Sequence, residues 1–324
     1  MKRLAGKLAA FARAVLLTLM GALSAWAVNI LHISRYPIFA GDFRGILAGQ
    51  PYSPAFANRR LGPWSFVALD RIFGSSEFTL SLFVYAACVA LPWLGYLLGR
   101  RLGWTIKRSL GAAAALCVSF VLLQDDYWLM IWDLYDVLFF TCLAYAIFRR
   151  LTARQVIPLF ILMLLNRETA LFVPLWLIVR GYLDRDRRTM VTAALMGLAG
   201  AVVTAAWRLP YMGRTGLPHV GGNHFRPTAN WRILMGGNNE AWLAVALSAA
   251  VILLAWRTIR VSVRGRESEF RGVVEAMIVA AALAIVIPVV GYIGELRLFL
   301  PVAPLLIFSY GSLQADRNRV QGTI

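Results

Sequence analysis

The residues best suited to chemistry in this chain are a small set of carboxylates and guanidiniums. Asp42 is followed by Arg44, Arg59 and Arg60, while Asp125-Asp126 and then Asp133 and Asp136 form two acidic pairs. Arg167-Glu168 and Glu295-Leu296-Arg297 each set opposite charges side by side. A carboxylate within about 2.6 to 3.2 Å of a hydroxyl can take its proton as general base. A guanidinium stays charged in a partly dry site and offers paired hydrogen bonds to phosphate oxygens. By their types alone, Asp42 is a candidate proton acceptor and the arginines are candidate anion ligands. Arg167 is the foremost phosphate candidate, with Arg59, Arg60 and Arg297 beside it. Asp133, Asp136, Glu168 and Glu295 complete the binding set.

Each of these groups also has a plainer role. Asp133 or Asp136 can cap the start of a helix, since aspartate is favoured at an N-terminus. Arg167 and Glu168 can form a structural ion pair, although they interrupt an apolar stretch where an ionisable group costs about 2.5 to 3.5 kcal/mol on insertion scales. Asp125 and Asp126 can be solvated loop acids, or can help hold a divalent cation such as magnesium or manganese.

The elements that must position these groups are apolar. With 60% hydrophobic residues and only 15% charged, the chain is too apolar for an ordinary soluble domain, and a polytopic all-α bundle is expected. Apolar runs lie at Ala14–Ile33, Phe78–Leu98, Leu110–Leu123, Val137–Phe148, Val156–Leu165, Thr169–Val179, Met190–Trp207, Ala241–Trp256, Val273–Ile293 and Leu298–Leu313. That makes about ten spans, provided 156–179 is two short helices turning at Asn166-Arg167-Glu168-Thr169 rather than one. Helices that short reach only about 15 Å, so they would form a hairpin packed among others or lining a polar cavity.

The formal charge of +17 would point to nucleic acid in a soluble protein, but here the basic residues fall in short loops between spans. Lys2, Arg3, Lys7 and Arg13, then Arg100, Arg101, Lys107 and Arg108, then Arg149, Arg150 and Arg154, and finally Arg257 to Arg271 all fall on one side if ten spans are counted. By the positive-inside rule that side is the cytoplasm. Both termini are then cytoplasmic in a bacterial inner membrane, and the candidate residues face the periplasm or exterior. Ala25-Trp26-Ala27 imitates a signal-peptide cleavage site, but the apolar run continues through Val28, Ile30 and Ile33, which favours an uncleaved anchor.

Cys88, Cys117 and Cys142 lie inside apolar runs without CxxC spacing, and His32, His219 and His224 are not spaced as a metal site. There is no nucleotide loop and no GxSxG nucleophile elbow. The 208–240 loop, with Tyr211, His219, His224, Trp231 and Asn238-Asn239, has aromatics and amides suited to sugars.

The first polar loop, 36–77, mixes short amphipathic pieces with turn formers and carries Asp42, Gly49-Gln50-Pro51-Tyr52 and Arg60-Leu61-Gly62-Pro63 directly after the first span. In this it resembles the GT-C glycosyltransferases, multi-span enzymes that take a sugar from a polyprenyl-phosphate carrier. The resemblance covers residues 14 to 100 best and is looser beyond. It implies a GT-C-like bundle in a single membrane domain over 1–324, with a core module at 14–207 and the outer loop plus last spans at 208–324. It also implies Asp42 as catalytic base, a polyprenyl-phosphate-linked sugar as donor, and a lipid or glycan acceptor in the envelope. The chain lacks the soluble C-terminal domain that many larger members carry. Two other functions fit the same composition: a lipid or glycolipid flippase or secondary transporter, and a non-catalytic subunit of an envelope polymer assembly system.

Overall fold

The structure, a computed structural model, describes residues 2–32, 36–51, 56–124, 130–211, 227–264, 270–290 and 295–321. Every one of the ten apolar runs lies wholly or largely in a helix, and among the described residues there is no strand. These helices are α1 (Lys2–His32), α4 (Ser76–Arg101), α5 (Ile106–Leu123), α6 (Ile131–Phe148), α7 (Ala153–Asn166), α8 (Phe172–Asp184), α9 (Arg187–Arg208), α11 (Asn239–Arg264), α12 (Arg271–Val290) and α13 (Val302–Gln321). Three shorter helices complete the bundle: α2 (Tyr36–Leu47), α3 (Leu61–Phe73) and α10 (Pro227–Met235).

Among the described residues, seven helices are long and apolar enough to cross a membrane. The chain is a multi-pass helical membrane protein. Their outward faces carry large apolar side chains, such as Leu23 and Trp26 on α1 and Leu195 and Leu198 on α9. A face of that kind is stable only against hydrocarbon.

α1 and α4 run antiparallel. Trp93 Nε1 donates to Thr18 Oγ1 at 3.3 Å and Ser81 Oγ to Asn29 Oδ1 at 3.4 Å, so α4 retraces α1. They approach closely at Gly21, where an added Cβ would sit 2.5 Å from the Val89 Cα. Small residues allow such backbone contact in membrane bundles, where dispersion rather than water expulsion drives helix association.

The sequence at 156–179 forms two helices. α7 stops at Asn166, Arg167 is fully extended (φ −165°, ψ 160°), and a 3-10 turn over Glu168–Leu171 leads into α8. The chain reverses there, because Arg150, just before α7, is paired with Asp184 at the end of α8, and Arg180 donates to the Leu151 carbonyl. The hairpin is not wholly enclosed as its shortness had suggested. Ile157, Ile161 and Leu162 on α7 are exposed, while the apex is buried at Asn166 and Ala170. What must be hidden is the polar apex, and apolar flanks tolerate lipid.

The 36–77 segment is mostly helical, with α2 and α3 packed on a small core of Phe43, Ile46, Phe66, Leu80 and Trp132. Arg44 pins α2 to its neighbours through Asp70 (2.6 Å) and Ser76 Oγ (2.7 Å), so it is a structural clasp. Trp64, Ile72 and Phe73 of α3 point away from the protein, as expected of a helix lying at the membrane surface. The 208–240 segment, read from sequence as a loop, also contains a helix, α10, held by Asn230 Nδ2 to the Pro288 carbonyl at 2.7 Å. Residues 212–226, including His219 and His224, lie outside the described residues.

Candidate functional site

Asp133 and Asp136 are one helical turn apart at the start of α6, so their side chains share a face. Both are 1% exposed. Two buried carboxylates at this spacing demand cations, and the α7–α8 apex brings one. Arg167 Nη1 lies 2.9 Å from Asp133 Oδ1 and 3.3 Å from Asp136 Oδ2. Arg297, from the 3-10 turn Leu296–Phe299 that precedes α13, donates to Asp133 Oδ2 at 2.6 Å and to Glu295 at 3.0 Å. The remaining acceptor positions on Asp136 are filled by Asn166 Nδ2 (2.9 Å) and Thr169 Oγ1 (3.1 Å).

The capping role for Asp133 is also present, since its Oδ2 accepts from the Met130 N–H at 3.3 Å. One side chain therefore starts α6 and anchors both arginines. The extended backbone at Arg167 has a local cause in this network: a continued helix would carry Arg167 and Thr169 away from Asp136.

A second group of charges lies against the first. Glu168 is 3.5 Å from Arg59 and 2.9 Å from Arg208. Arg208 Nε also donates to Asn58 Oδ1 at 3.0 Å. The Arg59 guanidinium is held over two rings, 4.7 Å from the centroids of both Phe56 and Trp132. Stacking of this kind favours arginine over lysine. Burial, with the neighbouring Arg167 charge, lowers Arg59 to about 10, so it remains a cation at neutral pH. Burial alone would raise Glu168, but Arg59, Arg208 and Arg167 together hold it well below the ordinary carboxylate range.

The network is balanced in charge. Four arginines (Arg59, Arg167, Arg208, Arg297) face four acids (Asp133, Asp136, Glu168, Glu295). It is not balanced in hydrogen bonds: Arg59 Nε, Arg167 Nε and Asn58 Nδ2 are buried donors with no acceptor among the described residues. Buried donors left unmet cost on the order of 1 to 3 kcal/mol each, and such groups call for an acceptor beyond those residues.

Beside this network lies a cavity of about 400 Å³ between the α7–α8 apex, α8, α12 and residues 298–301. Arg167, Glu168 and Thr169 form one part of its lining; the rest is apolar, including Phe172, Leu175, Leu283, Ile287 and Leu298. The volume is in the range of small-molecule sites, roughly 300 to 1,000 Å³. Its shape suits an amphiphile with an anionic head and a hydrocarbon tail.

Of the residues singled out from sequence, Arg59, Asp133, Asp136, Arg167, Glu168, Glu295 and Arg297 converge here. Arg60 is used otherwise. Its Nη1 donates to the Ile46 carbonyl at 2.8 Å and its backbone N–H to the Leu165 carbonyl at 2.8 Å, tying α2 to the end of α7. Asp42 sits half-buried on α2 with no hydrogen bond or ion pair among the described residues, and it does not line the cavity. Burial raises its carboxyl above the usual aspartate range. Asp125 and Asp126 lie outside the described residues. Among the described residues no three His, Cys, Asp or Glu side chains group as metal ligands, and the buried Asp133 and Asp136 oxygens already accept from arginine and amide donors.

Sequence reasoning passed over Asn58, Asn166 and Thr169 as side chains with work to do, and it took Arg208 only as the edge of a loop. Asn58-Arg59-Arg60 is a run of three polar residues in an aromatic setting, and that was the available signal. Arg208 gave none beyond its place at the end of an apolar helix. Comparison with known proteins adds no assignment: no protein family, no curated protein and no solved structure matches this chain.

Proposed function

We propose that this protein is a membrane glycosyltransferase of GT-C type that uses a polyprenyl-phosphate-linked sugar. The observation that carries the reading is the cavity whose apolar walls end on Arg167, beside buried donors that lack an acceptor among the described residues. The prenyl chain would lie between α8 and α12, and the phosphate would meet Arg167 and, through displacement of Glu168, Arg59.

Transfer then needs little else. The acceptor oxygen attacks the anomeric carbon, its proton passes to the Asp42 carboxylate, and the bond from that carbon to the phosphate oxygen breaks with the electron pair leaving on phosphate. Arginines already fixed by Asp133 and Asp136 stabilise that charge without reorganising, the arrangement that makes electrostatic catalysis effective. Because Asp42 lies off the cavity, the acceptor would approach from the α2 side while the donor occupies the α12 side. On this reading the bundle has about ten membrane segments, both termini are cytoplasmic in a bacterial inner membrane, and the Asp133 end faces outward. Envelope lipids or glycans would be the acceptors.

The test is sugar transfer from a synthetic polyprenyl-phosphate donor by purified protein. Asp42→Asn should abolish transfer and leave donor binding largely intact, since the amide keeps the shape but cannot accept a proton. Full activity in that variant would end the case for this base. The helix break at Arg167 also fits the discontinuous helices of transporters. Movement of labelled lipid across vesicles, with no transfer by the wild type, would favour that second reading.

A further inference from the structure

A second cavity, of about 620 Å³, lies between α5, α11 and α13, at a distance along the bundle from the charge network. Its floor is cut by small residues of α5, Gly111, Ala112 and Ala115, and its walls are Leu254 of α11 with Leu306 and Ile307 of α13. A Cβ added at Gly111 would meet nothing within 4 Å, so the space there is open and not filled by a neighbour. α11 is joined to α13 chiefly through α12, which leaves a gap between them on the lipid side.

The polar part of the lining is confined to one end. Arg108 stands in the first turn of α5, and Tyr310 and Gln314 stand opposite on α13, with Gln314 Nε2 donating to the Tyr310 hydroxyl at 2.9 Å. This is the end of the bundle that holds Arg150 and Asp184, since α5 begins where α4 finishes and α6 ends level with both. Arg108 is the arginine that lines the cavity, and some of its neighbours are already engaged. Arg100 donates to the Trp104 carbonyl, and Arg150, Arg180 and Arg271 all converge on Asp184. Arg108 is half-buried at the cavity mouth, with no ion pair to a carboxylate among the described residues. Close by on α11, the Arg260 guanidinium lies 5.1 Å from the Trp256 ring centroid, a pairing suited to the headgroup level.

We propose that this cavity binds one anionic phospholipid, an acyl chain lying between α5, α11 and α13 and the phosphate on Arg108. Basic pockets between membrane helices recognise anionic headgroups through charge, and each arginine near the surface favours such a lipid by about 1 kcal/mol, or roughly fivefold. The lipid fills the gap that protein packing leaves and neutralises the cation that lines it.

Native mass spectrometry of the delipidated full chain, titrated with phosphatidylglycerol or phosphatidylcholine, tests this. The wild type should retain one phosphatidylglycerol in preference to phosphatidylcholine by about fivefold. Arg108→Gln should bring the two lipids to parity, while Arg101→Gln, an exposed change at the same end, should leave the preference unaltered. Gly111→Leu should exclude both lipids by filling the cavity, and Ala115→Leu serves the same purpose if the first variant does not remain monodisperse. Equal retention of the two lipids by the wild type, equal losses in the Arg108 and Arg101 variants, or unchanged binding in a folded cavity-filling variant would each overturn the proposal. Displacement of the lipid by millimolar inorganic phosphate would do so as well, because the site would then belong to a soluble anion.

Discussion

Replacing Asp133 by alanine should be among the most damaging single changes at the charged end of the bundle, and its coupling to Arg297 can be worked out beforehand. Asp133 is 1% exposed and serves Arg167 at 2.9 Å and Arg297 at 2.6 Å. Breaking a buried ion pair from one side costs about 3 to 5 kcal/mol, because the partner is left charged and dry. Here the cost falls at the lower limit, about 3 kcal/mol, since Arg167 keeps Asp136 at 3.3 Å and Arg297 keeps Glu295 at 3.0 Å. Arg297→Ala leaves Asp133 with Arg167 and exposes only the part-solvated Glu295, so about 2 kcal/mol is expected. In the double variant the orphaned Arg297 charge no longer exists, and the loss should stay near 3 kcal/mol, a coupling of about 2 kcal/mol. Unfolding titrations in mixed dodecyl maltoside and SDS micelles measure all three. Additivity within about 0.5 kcal/mol would mean that the two residues do not act as a pair, and the account of the apex as one charge network would fail.

Three further outcomes follow from the same geometry. Arg167→Ala should weaken binding of a polyprenyl-phosphate donor as well as turnover, because a phosphate contact is made in the ground state and the transition state alike. A loss of turnover with donor affinity unchanged would place Arg167 outside the donor site. Glu168 is held below its ordinary pKa, so its contribution to stability is fully present above about pH 4.3 and is lost only as pH falls through the lower folded value. The gap in thermal midpoint between wild type and Glu168→Gln should therefore be flat from pH 8 to about pH 5 and shrink only in stronger acid; convergence between pH 8 and 6 would contradict the ion-pair assignment. Reporter fusions at the C-terminus and within 265–269 should read as cytoplasmic, and within 212–226 as external, with the reverse pattern refuting the orientation drawn from the arginines.

The long helices were plain in the sequence because crossing lipid demands an apolar stretch about twenty residues long. The break at Arg167 was plain too, since Asn166-Arg167-Glu168-Thr169 interrupts an otherwise continuous apolar run. Pairing was less visible. Nothing in the sequence joins Asp133 to Arg297, 164 positions away, and the partners could be named only as candidates at one end of the bundle. Asn58 and Arg208 were missed because their roles depend on Arg208 meeting both Asn58 and Glu168, which is a fact of packing. α10 was missed because Pro227 to Met235 is a helix made by its neighbours, with weak local preference of its own.

The order in which the charged end is built follows from the extended residue at the hairpin tip. α6 leaves the ribosome first and carries two carboxylates whose partners do not yet exist. α7 and α8 must enter the membrane as a pair, since neither is long enough to cross alone, and in doing so they deliver Arg167 to acids that are already waiting. Arg297 arrives only with the final helix. Until then Asp133 has one of its two arginines, and because Glu295 arrives in the same turn as Arg297 the network gains one acid and one cation together and stays balanced in charge.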